Sequence, residues 1–398
     1  MEGYLNDISE YSKRLFDVFT SSQEFSDLHI KEGDFAYFRK NGKLDPTKVG
    51  SNDENPEGRI TNRIANAILT DIFSLRYGKD EVEQRKEDFL VKGYQEDFAV
   101  QITPQVRARV NVYKTLGKIG IALRQIPSTM PDLGKIGLND NHMRIITGSY
   151  LTKREGLILI TGQTGSGKST TLAAMINYIN QMFSKHIITI EDPVEFKHTN
   201  AKSIISHREV GEGNDTETFF TGLKASLRED PDIILVGEMR DAETALAAIQ
   251  AAQTGHIVLA TLHTNSAAET VTRIVDMFPP EKARGITTSL AQSLLMIMSQ
   301  KLVPDISETR MLAYELLFNV PTVKGHIIND FDVIDIKINE VLRRLHNEGM
   351  VGMPRFLADA VQAGKVKKEV ALEYIGGIGS QIDEFKRYVG DLSVRDNA

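Results

Sequence analysis

The stretch Leu157–Thr170, L-I-L-I-T-G-Q-T-G-S-G-K-S-T, limits what this chain can fold into more than any other. An apolar run leads straight into Gly162, four residues separate that glycine from Gly167, and Lys168 and Ser169 open a helical pattern. Strand, glycine loop and helix in that order make a phosphate-binding loop. The glycines let successive backbone N–H groups turn onto phosphate oxygens, and the helix N-terminus adds positive partial charge. Gly162, Gln163, Thr164, Gly165, Ser166, Gly167, Lys168, Ser169 and Thr170 are therefore nucleotide-binding candidates. Lys168 is placed to reach the β- and γ-phosphates and Ser169 to set its hydroxyl on Mg²⁺. The implied ligands are a nucleoside triphosphate and Mg²⁺.

Short apolar runs at Leu157–Thr161, His186–Ile190, Ile233–Val236 and Ile257–Thr261 alternate with helix-length segments, which predicts a doubly wound α/β core over residues 139–298. Ligands of such sheets sit at the carboxyl ends of the strands. Before the core, residues 1–130 read as a strand-rich α+β module. It opens with a helix-like segment, then alternates through Phe25–Gly33, Phe35 and Tyr37 to an Asn41-Gly42 hairpin turn, followed by a polar loop over Gly50–Gly58. Ile64, Ile68 and Ile72 make one helix face, and Phe98–Val112 and Ile119–Ile126 read as strands. Pro131 and Gly134 mark a linker over 131–138. Beyond about Ser299 a helical region to 390 is expected, with Ile334, Ile338, Val341, Leu342 and Leu345 on one face, and 391–398 reads as a polar tail.

Composition excludes several classes. The 47 Lys and Arg against 54 Asp and Glu leave a net charge of -7, so no bulk basic surface suggests direct nucleic-acid binding. With no cysteine, disulfides, iron–sulfur clusters and thiolate zinc sites are ruled out. No apolar run approaches the roughly 18 residues of a membrane span, and the first residues lack a signal-peptide pattern, so a cytoplasmic location is expected.

Three further motifs follow core strands. Ile188–Phe196, I-T-I-E-D-P-V-E-F, places Glu191 and Asp192 at a strand end, where a carboxylate orients attacking water or merely closes an acidic turn. Pro231–Asp241 is an apolar run ending in Glu238, with Gly237 where many phosphate-loop enzymes carry a metal-linked aspartate, so Glu238 is left to serve the metal with Ser169. Thr254–Asn265 carries His256 and His263 at its two ends. Both are candidate nucleotide contacts beside the plainer reading of hydrogen-bonded structural histidines.

These four motifs in this order resemble the secretion ATPase superfamily, with its Walker A, aspartate box, Walker B and histidine box. Ser26–Ile30, Arg107–Asn111, Arg124–Pro127, Leu227–Asp232 and Arg273–Pro279 extend the resemblance and are most similar to the type IV pilus retraction motors. The resemblance implies a PAS-like N-terminal α+β domain and a RecA-like C-terminal ATPase domain that clamp ATP in a homo-hexamer. It implies Glu191 as general base, Glu238 as the Mg²⁺-side carboxylate, and Arg107, Arg109 and Arg124 as arginines that neutralise phosphate charge across a domain or subunit boundary. The implied partner is an inner-membrane platform protein of a pilus or secretion system. ATPases of conjugation-type and type II secretion systems are the neighbouring alternative, and a nucleic-acid motor or a non-hydrolysing scaffold are alternatives of other classes.

Overall fold

In a computed structural model of the protein, the described residues are 8–22, 25–40, 43–47, 57–77, 80–127, 129–211, 214–375 and 379–393. They form two compact units, Met1–Thr129 and Met130–Ala398.

The first unit is an antiparallel sheet carrying helices. Its strands are β1 (Phe25–Lys31), β2 (Ala36–Lys40), β3 (Lys43–Thr47), β4 (Glu96–Thr103), β5 (Val106–Thr115) and β6 (Lys118–Ile126), in spatial order β3-β2-β1-β6-β5-β4. Period-two alternation sends Leu28, Ile30, Val110, Val112, Ile121 and Leu123 into one core. Against them pack helix Glu10–Thr20 through Phe16 and Phe19, and helix Asn62–Tyr77 through Ile64, Ile68 and Ile72, which sit one turn apart. Each such side chain contributes about 1.5–3 kcal/mol when fully buried. The stretch 98–112, expected as one strand, is two: the chain reverses at Pro104 and Gln105 and β4 pairs antiparallel with β5. The Asn41-Gly42 turn and most of the polar loop lie outside the described residues, although β2 and β3 do pair antiparallel, Lys40 opposite Lys43.

The second unit is a seven-stranded sheet with helices on both faces. Its strands are β7 (Gly156–Thr161), β8 (His186–Glu191), β9 (Ile204–Glu209), β10 (Ile233–Val236), β11 (Ile257–Leu262), β12 (Leu294–Pro304) and β13 (Arg310–Phe318), ordered β13-β12-β7-β11-β10-β8-β9. All pair in parallel except β13, which runs antiparallel to β12. β7, β10 and β11 are buried along their whole length, as strands covered on both faces must be.

The helical region expected from Ser299 begins later. Residues 294–318 form the β12–β13 hairpin, and helices start at Pro321. A continuous apolar run has no period that separates a doubly covered strand from a buried helix, which is why Met311–Phe318 misled. Helix Ile334–Arg344 buries Ile334, Ile338, Val341 and Leu342, with Leu345 half-buried just beyond it. Helix Met353–Gln362 packs on the hairpin through Met353 and Leu357, which join Val303, Ala313 and Phe385 in a small separate core. The last helix runs to Ser393, so the tail expected from 391 starts later, and 394–398 lie outside the described residues. The segment expected as linker is tied to the second unit: Asn177 Nδ2 donates to the Pro131 carbonyl at 3.1 Å and Leu133 is buried in the main core. No described helix is long and apolar enough to cross a membrane.

Candidate nucleotide site

The phosphate loop leaves the carboxyl end of β7, between β11 and β12, and runs into helix Lys168–Met182. Gly162 has φ of 146° there, and a Cβ on it would stand 2.4 Å from the Gln300 carbonyl oxygen and 2.4 Å from Ser166 Oγ, so no other residue fits. Lys168 Nζ donates to the carbonyls of Gly162 (2.8 Å) and Gln163 (3.1 Å) and so lies across the loop. Burial pulls its pKa down, and the charges of Glu238 and Glu195 oppose that. Ser166 Oγ is buried with no hydrogen-bond partner among the described residues, an orphaned hydroxyl inside a loop built to hold phosphate oxygens.

Behind the loop stands Gln300 of β12, which the sequence did not single out. Its Nε2 donates to the Ser166 carbonyl at 2.7 Å and its Oε1 accepts from Thr171 Oγ1 at 3.0 Å. One buried amide thus joins the loop to the first turn of the helix that follows it. Beside it, Thr161 and Ser299 hydroxyls meet at 2.5 Å, closing β7 to β12.

Glu191 ends β8. The chain beyond it folds back over β9, fixed by three side-chain acceptors: Glu209 Oε2 takes the Val194 N–H at 3.3 Å, His207 Nε2 takes the His198 N–H at 3.1 Å, and Asn180 Oδ1 takes the Ala201 N–H at 3.0 Å. His198 and His207 stack 5.7 Å apart. Burial, with His207 adding to it, pulls the His198 pKa down to about 4. The result is a narrow cleft of about 50 Å³ lined by Lys168, Ser169, Glu191, Phe196, His198 and Gly237.

Gly237 has a steric cause. A Cβ there would lie 3.1 Å from the Ile190 carbonyl oxygen and 3.3 Å from Glu191 Cα, so an aspartate would push against the end of β8. The carboxylate stands one residue on, at Glu238, where Oε2 takes Arg240 Nε at 2.7 Å and Oε1 lies 3.3 Å from His263 Nε2. Glu238 also acts on Lys168 through its charge. No cluster of three or more His, Cys, Asp or Glu suited to a metal exists among the described residues. The donor set of Ser169 hydroxyl and Glu238 carboxylate nevertheless suits a hard cation that takes its remaining oxygens from phosphate and water.

His256 is a correction. It precedes β11, at the amino end of the strand, with Nδ1 3.1 Å from the Ala251 carbonyl oxygen. The six residues of β11 separate it from the carboxyl ends by about 20 Å, at about 3.3 Å per residue. His263, just past the other end, meets Glu238.

The three arginines belong to the first unit's sheet. Arg107 and Arg109 alternate with buried Ala108 and Val110 and share a face. Arg109 stands opposite Arg124, Arg124 opposite Asp27, and Asp27 opposite Arg39, a row of charge crossing four strands. Arg109 forks onto Asp97 at 3.0 and 2.8 Å, and Arg124 Nε meets Asp27 Oδ1 at 2.7 Å. Burial pushes the Asp27 pKa up, but hydrogen bonds from Arg124 and Ser26 outweigh it and hold the carboxyl below its usual value.

A larger cavity, about 820 Å³, is elsewhere in the second unit, between Gly137–His142, β13 and helix Met353–Gln362. Its inner wall holds His142 Nδ1 2.7 Å from Tyr314 Oη. It has no glycine loop and no convergent cations, so the smaller cleft remains the site of phosphate chemistry.

Residues 26–327 match the family described as type II/IV secretion system protein. The type IV pilus retraction ATPase PilT of Pseudomonas aeruginosa is 36% identical over 359 residues, 89% of this chain and 96% of that protein. A crystal structure of the pilus retraction motor PilT with bound ADP superposes with a TM-score of 0.77 at 36% identity, covering 93% of this chain and 99% of that one. The ATPase DotB of Legionella pneumophila gives a TM-score of 0.73 at 29% identity, covering 95% and 99%.

Proposed function

The chain belongs to the type II/IV secretion system protein family, and from that premise we propose that it is a motor that hydrolyses Mg-ATP to retract type IV pili or to drive a closely related pilus machine. It is an ATP hydrolase of the retraction-motor type. The observation that carries the site assignment is the convergence of Lys168, Ser169, Glu191 and Gly237 on one cleft at the carboxyl ends of β7, β8 and β10.

Phosphoryl transfer is catalysed by positioning and charge stabilisation. Loop N–H groups and Lys168 bind the β- and γ-phosphates. Glu191 orients a water in line with the bond to the leaving ADP and takes its proton as the oxygen attacks the γ-phosphorus, giving ADP and phosphate. Ser169 and Glu238 would hold Mg²⁺, which would supply charge neutralisation to the phosphates. Arg107, Arg109 and Arg124 supply further positive charge to the transferring phosphoryl group. Arg109 now pairs with exposed Asp97, from which it is released at a cost of about 1 kcal/mol or less, while Arg124 pairs with buried Asp27.

The assembly is a homo-hexameric ring at the cytoplasmic face of the inner membrane, docked on a platform protein. The description of the matching family, type II/IV secretion system protein, favours one second reading, a motor of a secretion system. The deciding experiment counts surface filaments in a deletion strain complemented with wild type or Lys168→Ala. Excess filaments with lost motility, reversed by wild type only, support retraction; normal filaments with failed export move the protein to the secretion reading.

A further inference from the structure

The base of the reaction has a neighbour that the phosphate-loop chemistry does not use. His207 lies on β9 directly opposite Thr189 of β8, and Glu191 follows Thr189 by two residues, so all three share one face of the sheet. The ring is held from both sides. Its Nε2 accepts the His198 backbone N–H at 3.1 Å, and its Nδ1 stands 2.8 Å from Thr189 Oγ1 and 4.0 Å from Glu191 Oε1.

These contacts fix the tautomer. A nitrogen that accepts a backbone N–H carries no proton of its own, so in the neutral ring the single proton is on Nδ1, the nitrogen that faces Thr189 and Glu191. The contact with His198 ties the ring to the wall of the cleft that Phe196 and His198 form with Lys168 and Ser169. The side chain therefore spans the distance between the fold-back loop and the carboxylate, with an acceptor at one end and a donor at the other.

We propose that His207 is a positioning residue for the reaction: anchored by the His198 N–H and by its Nδ1–H bond to the Thr189 hydroxyl, the ring stands beside Glu191, 4.0 Å from Oε1, and limits that carboxylate to the orientation that directs the attacking water. This rests on the reading of Glu191 as the base. A carboxylate that must align a water with the γ-phosphorus loses rate steeply when its orientation relaxes, while ATP, held by the loop and Lys168, binds as before. His207 touches no reacting atom and acts only through Glu191.

The test measures kcat and KM for ATP on the full chain. His207→Leu is expected to lower kcat about tenfold with KM within about twofold, and His207→Gln, whose amide offers an acceptor and a donor, to recover kcat to within about threefold. In a Glu191→Gln background, His207→Leu is expected to have no further effect, because the group it positions is gone. An unchanged kcat in His207→Leu, a Gln variant as slow as the Leu variant, or a full additional loss in the Glu191→Gln background overturns the inference. Wild-type turnover in Glu191→Gln itself overturns the base assignment instead, so the two failures are distinguishable. Should His207→Leu not fold, Thr189→Val reads the same contact. It releases the ring from its partner without changing shape, and a loss of about threefold confined to the Glu191-containing enzyme is expected. No loss there overturns the proposal.

Discussion

Two groups of charged residues in this molecule are held in opposite ways. Around the phosphate loop, Lys168, Glu191 and Glu238 stand on a buried frame. Gln300 and Thr171 lock the loop, and Glu209 and His207 pin the chain after Glu191. Across the first unit's sheet, Arg39, Asp27, Arg124 and Arg109 form a row in which only Asp27 is buried, and the Arg124 side chain is 70% exposed. The difference teaches which groups must be fixed and which must be able to change partner. A buried polar frame resists displacement, because any group it loses goes unpaired. An exposed ion pair contributes little and exchanges readily.

Removing the row's cations breaks the comparison most sharply. Arg109→Ala with Arg124→Ala is expected to lower turnover about 10³-fold, as loss of a charge-stabilising arginine does. Thermal stability should drop mainly through Arg124, whose loss takes the shortest ion pair from buried Asp27, since the exposed Arg109–Asp97 pair contributes at most about 1 kcal/mol. A large fall in Tm with little change in turnover would make the row structural. Glu191→Gln comes next: steady-state turnover should fall about 10²-fold with nucleotide affinity unchanged, checked with a fluorescent ATP analogue.

Acid separates the two groups differently. Burial pulls His142 and His198 down to about 4 from an ordinary 6.5, so between those values the unfolded chain binds protons that the folded one does not. Stability conferred by the neutral rings is complete above pH 6.5 and is lost as pH falls towards 4, by up to about 3 kcal/mol per ring. His29 of the first unit has the same sign. Asp27 works the other way: its contribution is present above the usual 3.8 and survives until pH falls through its lowered value. Melting curves across this window should therefore flatten in His142→Gln, and an unchanged slope would remove that ring from the account.

Smaller effects test the frame itself. Gln300→Ala strands the Ser166 carbonyl and the Thr171 hydroxyl and should cost about 2 kcal/mol in chemical denaturation, with weaker nucleotide binding. Gly237→Ala, whose new Cβ meets Ile190 and Glu191 backbone, should cost about 1 kcal/mol and slow turnover by shifting the end of β8.

The phosphate loop was legible because its information is local: Gly162, Gly167, Lys168 and Ser169 act through spacing along one strand–helix junction. The frame was not, since Gln300 reaches Ser166 from a strand 134 positions away that reads as helix. His207 was hidden likewise, because β9 is short and polar and its pairing with β8 has no sequence signature. His256 misled for a different reason. Both histidines flank one strand, but a parallel sheet gathers ligands only at carboxyl ends, and the residue before a strand faces away from them.

The amide of Gln300 also has a mechanical meaning. β12 is the strand that carries it, β13 pairs along the length of β12, and buried Glu315 of β13 takes N–H groups from Met353, at the head of a C-terminal helix, and from Ala267. A load on the C-terminal helices thus meets no pliant joint before the phosphates. The path is built as a strut is built, of paired strands and buried hydrogen bonds that tie the C-terminal helices to the loop.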